Sequence, residues 1–98
     1  MFARITPFKM KADHREAGTR LLTSMKSDIM GLPGMRHFTH AMDSTGKGYV
    51  VSLIETRDDS EAGRARIAAL WKRFDAHLES RGDPETFEVF ADWERVAA

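Results

Sequence analysis

The chain has 98 residues, no cysteine, and 15 Lys+Arg balanced by 15 Asp+Glu, so its formal net charge is zero. A single domain over residues 1–98 is expected, able to bury roughly 65% of its unfolded surface. Neutrality leaves no electrostatic footprint for nucleic acid or anionic lipid, and the missing cysteines exclude a disulfide scaffold or a thiolate metal site. No apolar run approaches the roughly 18 residues of a membrane span. The opening MFARITPFKMK lacks the basic-then-apolar order of a signal peptide, so a cytoplasmic location is expected.

Phe2–Met10 is rich in Phe, Ile and Thr and reads as a strand. Pro7 has no N–H to give a ladder, so the strand is expected at an edge or interrupted there. Asp13–Glu16 has the form of a capping box that opens a helix over Asp13–Met30. Leu21, Leu22, Met25 and Ile29 supply its buried stripe, Gly31 and Pro33 stop it, and Gly18 suggests close approach to the sheet. Leu32–Met35 is a turn, Arg36–Met42 a second strand, and Asp43–Gly48 a polar hairpin loop. Tyr49–Thr56 is a third strand, almost continuously apolar, as expected of a strand covered on both faces.

Thr56 or Asp58 caps a second helix that is expected to run to about Ser80. Within it, Ile67–Leu78 carries the strongest periodicity in the chain: Ile67, Leu70, Trp71, Phe74, His77 and Leu78 recur at steps of three and four. Gly82 and Pro84 end the helix, and Glu85–Trp93 reads as a fourth strand.

The order β-α-β-β-α-β predicts an α+β, ferredoxin-like fold, with a four-stranded antiparallel sheet and two helices on one face. Phe2, Phe8, Val51, Leu53, Phe87, Phe90 and Trp93 cannot all point at two helices. The other sheet face is therefore expected to pack on a second copy, giving a homodimer.

Phe2–Phe8, the Gly31-Leu32-Pro33-Gly34 turn and the Tyr49–Arg57 segment together resemble the dimeric α+β barrel superfamily, most of all its antibiotic biosynthesis monooxygenase (ABM) type of domain. The resemblance covers nearly the whole chain. It implies a ligand cleft within each subunit, between sheet and helices, and an activity that needs no cofactor. The implied reaction is monooxygenation of a small aromatic, quinol or polyketide-like compound. A non-catalytic dimeric module that binds a small hydrophobic ligand is the alternative. The haem-degrading branch uses an Asn, Trp and His trio; this sequence has no Asn, and another residue, expected to be Thr6, fills the first-strand Asn position.

By periodicity Trp71, Phe74 and His77 face the cleft, where His77 is the expected proton acceptor and Trp71, Phe74 and Tyr49 the wall. The bland alternative leaves Trp71 and Phe74 as core and His77 at the end of the stripe. His37 and His40 are three apart on a strand and point to opposite faces, so they cannot share a metal, although one can reach the cleft; His37 is the expected ligand contact. Arg4 shares a face with Phe2 and Phe8 and needs a partner: Glu55, Glu88 or an acidic ligand. No metal-ligand spacing is present.

Overall fold

The β-favouring run FARITPFKM forms strand β1, Phe2–Met10, at the centre of the sheet. A computed structural model describes residues 1–96; the last two positions of the expected domain lie outside it. After a 3₁₀ turn at Ala12–His14 come helices α1 (Arg15–Ser24) and α2 (Lys26–Met30). Strands β2 (Met35–Met42) and β3 (Lys47–Ile54) follow, then helices α3 (Arg57–Ala62) and α4 (Arg64–Lys72). A 3₁₀ turn at Asp75–His77 leads into strands β4 (Leu78–Arg81) and β5 (Glu85–Glu88).

The sheet is antiparallel throughout, in the order β2-β3-β1-β4, with β5 also pairing β1. This is the α+β, ferredoxin-like arrangement the sequence predicts. Its fourth strand position is shared by two short segments: β4 pairs Phe8–Met10, and β5 pairs Phe2–Ile5. Pro7 explains the division. Its carbonyl accepts from the Gly82 N–H at 2.9 Å. The N–H and C=O of one strand residue point to the same side, so the donor that Pro7 lacks falls in the gap between β4 and β5. The strand is interrupted at Pro7 on that side, but it is central, not an edge.

Both expected helices are broken. The first becomes a 3₁₀ turn, α1 and α2, with a tight turn at Met25, whose N–H reaches the Leu22 carbonyl at 3.0 Å. The expected Asp13–Glu16 capping box makes no side-chain cap. Gly18 is buried, and a Cβ there would lie 2.6 Å from the Met10 Sδ, so the close approach is real. The second helix starts as expected: Thr56 Oγ1 accepts from the Asp59 N–H at 3.0 Å. It then pauses at Gly63 and ends at Lys72 rather than near Ser80. Leu78 continues the helical period but opens β4, because the His77 carbonyl accepts from Lys11 N–H (2.9 Å) and Leu78 pairs with Met10. The last strand ends at Glu88, short of the expected Trp93.

Side chains alternate across β1. Arg4, Thr6, Phe8 and Met10 face the helices, where Phe8, Met10, Met25, Ile29 and Phe74 form the buried core. Ala3, Ile5 and Pro7, with their cross-strand partners Leu53, Val51 and Tyr49, occupy the opposite face. Of the seven apolar residues that cannot all face the helices, Phe2 and Phe8 belong to the helical side. Phe2 carries the Arg57 guanidinium 4.9 Å above its ring. Tyr49 and Phe87 are about half exposed, at 49% and 48%, and Phe90 and Trp93 almost wholly so.

Candidate functional site

Between the sheet and the helices lies a cavity of about 70 Å³ that opens to solvent. That is room for several waters. Four aromatic rings line it, among them Phe38 of β2. Phe8 comes from β1, Trp71 from the last turn of α4, and Phe74 from the turn after it. Trp71 meets Phe74 edge to face, with ring centroids 6.3 Å apart, and the Phe8 ring lies at the same distance from Trp71.

The cavity's imidazole belongs to His40 of β2. Its ring stacks on Phe8, with centroids 5.0 Å apart and planes 9° from parallel. Burial pushes the His40 pKa below the ordinary histidine value, so the ring is neutral near pH 7. The hydroxyls of Thr6, Ser52 and Ser60 are buried and border the same space.

Arg4 enters the cavity beside these hydroxyls and donates from Nη1 to Ser60 Oγ at 3.4 Å. Neither expected carboxylate holds it. Glu55 is engaged by Arg36, and Arg4 forms no ion pair among the described residues, Glu88 included. Burial, followed by the positive charge of Arg64, lowers the Arg4 pKa, with Glu61 opposing and Arg81 adding to the effect. An arginine nevertheless stays charged.

Of the residues singled out from sequence, Trp71 and Phe74 come together at the cavity. His77 does not join them. It sits in the 3₁₀ turn before β4, and its Nδ1 lies 3.0 Å from Nδ1 of His14. Tyr49 and His37 lie on the opposite sheet face, paired with Pro7 and Leu53 respectively. His40 was half legible: the i, i+3 spacing on a strand places one of the two histidines inside. Pairing with β3 decides which one: His37 falls opposite Leu53 on the outer face, and His40 opposite Val50 on the inner face. No group of three or more His, Cys, Asp or Glu that could hold a metal ion occurs among the described residues. No helix among them is long and apolar enough to cross a membrane.

No protein-family model matches the sequence, and no curated protein does. Solved structures match it in fold. A candidate antibiotic biosynthesis monooxygenase from Nitrosomonas europaea is similar at 18% identity and a TM-score of 0.73, over 93% of this chain and 100% of that one. Another from Deinococcus radiodurans is similar at 10% identity and a TM-score of 0.75, over 99% of this chain and 100% of that one. A third, from Bordetella bronchiseptica, is similar at 9% identity and a TM-score of 0.74, over 92% and 97%. The chain thus has an ABM-like fold along nearly its whole length. A shared fold fixes the scaffold and leaves the chemistry to the site.

Proposed function

We propose that this single domain is a cofactor-independent, ABM-like monooxygenase acting on a small aromatic, quinol or polyketide-like compound in the cavity between sheet and helices. One observation carries the reading: an aromatic wall of Phe8, Trp71 and Phe74 encloses a neutral imidazole, that of His40. The fold shared with candidate monooxygenases supports it further.

A neutral imidazole has one unprotonated ring nitrogen. In this role it accepts a proton from the bound phenol or activated ring carbon. The electron-rich anion then meets O₂. One oxygen atom becomes the new ring carbonyl, the other leaves as water with two hydrogens of the substrate, that of the oxidised carbon and that of the phenol, and the substrate supplies the electrons. The apolar wall excludes water from the anion. We assign the base to His40 in preference to His77, whose ring is engaged with His14.

An oxygen electrode tests this with a panel of hydroquinones and related phenols under air. The wild-type protein is expected to consume O₂, and His40→Ala to lose about 100-fold or more of that rate. Consumption no higher in the wild type than in His40→Ala sinks the enzymatic reading. The second reading, a non-catalytic binding module, draws support from the modest size of the cavity. It predicts ligand binding with no O₂ uptake. A haem macrocycle is far larger than this space, which weakens the haem alternative.

The outer sheet face supports a homodimer. Ile5, Val51, Leu53, Tyr49 and Phe87 leave it apolar, with Phe90 and Trp93 exposed beyond β5, and packing against a second copy would bury it. Light scattering at micromolar concentration is expected to give twice the 11.1 kDa chain mass; a mass of one chain contradicts the dimer. A cytoplasmic home is in keeping with the absence of cysteine.

A further inference from the structure

The cavity holds a cation, Arg4, that no carboxylate pairs with among the described residues, although Glu61 offsets part of its charge from a distance. Arg4 is half-buried, its nearest polar partner is the neutral Ser60 hydroxyl, and it forms no ion pair among the described residues. Two more guanidiniums add to the local charge. Arg81 of β4 pairs in register with Phe8 and lies 5.1 Å above the Trp71 ring, which places it at the aromatic wall. It too has no ion pair among the described residues. Arg64 of α4 also repels Arg4, although Glu61 at 3.6 Å offsets its charge.

One carboxylate does border the cavity, that of Asp59. It is turned away, into the space that the missing side chain of Gly34 leaves open, and it is not among the charges acting on Arg4. In a chain whose net charge is zero, a pair of unmatched guanidiniums beside an aromatic wall is a local excess. A partly desolvated charge without a counter-charge is costly to keep, and a planar guanidinium is matched best by two coplanar oxygens.

We propose that the cavity is built for an aromatic carboxylate, whose ring lies along Trp71, Phe74 and Phe8 and whose carboxylate is held by Arg4 and the Ser60 hydroxyl, with Arg81 closing over the ring. The inference rests on the reading of this cavity as the ligand site and adds the charge and class of the ligand. Arg4 and Ser60 fix one end of the molecule, which turns its far edge toward His40. Among substrates of the proposed reaction, aromatic acids bearing a phenol are then bound in preference to neutral quinols.

Calorimetric titration with benzoate, salicylate and the neutral isostere benzamide tests it. The wild-type protein is expected to bind benzoate and salicylate ~10- to 100-fold more tightly than benzamide, the effect of one or two charge-assisted hydrogen bonds. Arg4→Gln removes that preference, while Arg4→Lys keeps part of it. Equal binding of benzoate and benzamide by the wild type overturns the carboxylate site and leaves the cavity reading standing. Undiminished benzoate binding by Arg4→Gln also overturns it. Binding of none of the three probes removes both the inference and the ligand site beneath it. The comparison of probes on the wild type is independent of whether any variant folds.

Discussion

Gly46→Ala is expected to destabilise the protein by about 3 kcal/mol or more, lowering the thermal midpoint by on the order of 15 °C in a domain of this size. Gly46 closes the β2–β3 hairpin at φ +92°, a region that residues with a Cβ rarely adopt. A Cβ there would also lie 2.1 Å from the Met10 carbonyl oxygen. That oxygen cannot retreat, because Met10 is buried at the end of the central strand and pairs with β4. The same hairpin is tied to β1 by the Met10 N–H, which donates to the Gly46 carbonyl at 2.8 Å. Asp43 holds the loop from within, accepting from the Thr45 N–H and hydroxyl and from the Lys47 N–H. These hydrogen bonds, that from the Thr45 hydroxyl first, lower the Asp43 pKa. Relief of the clash would therefore have to break the ladder or the loop. Ser44→Ala, an exposed change two residues away, is expected to stay within about 0.5 kcal/mol of the wild type. Urea unfolding measures both, and a Gly46→Ala protein within 1 kcal/mol of the wild type would show that the loop finds another conformation cheaply.

What the sequence makes legible here is what short stretches determine alone. The polar hairpin, the Leu32–Met35 turn and the Thr56 cap depend on residues close in the chain, and each lies where the pattern predicts. Apart from the Asp13–Glu16 capping box, the misplaced features depend on partners far away. Phe74 and Leu78 extend the helical period of α4, yet Leu78 is a strand residue because β1 offers it a free edge. Nothing within Ile67–Leu78 encodes that edge. The near-continuous apolar run of β3 has the same effect on Tyr49: without alternation its face is undetermined, and pairing with Pro7 and Ala41 sets it outward. The site was legible to the same degree. Trp71 and Phe74 follow from helical spacing, whereas the choice of His40 over His37 follows from the register with β3, which only pairing reveals.

Phe8 joins the core to the site, so Phe8→Ala tests both at once. The ring is 4% exposed, stacked on His40 and packed beside Trp71. Truncating a buried Phe costs about 3–5 kcal/mol. The low end is expected here, because one side of the ring already borders the cavity and lacks partner atoms there. The second consequence is electrostatic. His40 has a folded pKa below its ordinary value of 6.5 because burial disfavours the imidazolium. As pH falls below about 6.5, the unfolded chain takes up this proton before the folded one does, so His40 contributes stability that is complete above that pH and is lost on acidification toward the folded pKa. Removing the Phe8 ring lets water reach the imidazole, and its pKa is expected to rise toward 6.5. NMR titration of the His40 ring, assigned with His40→Gln, should show a midpoint below 6.5 in the wild type and a higher one in Phe8→Ala. Identical midpoints in the two proteins would mean that the stacked ring does not keep His40 dry, and the neutral imidazole on which the proposed chemistry depends would need another cause.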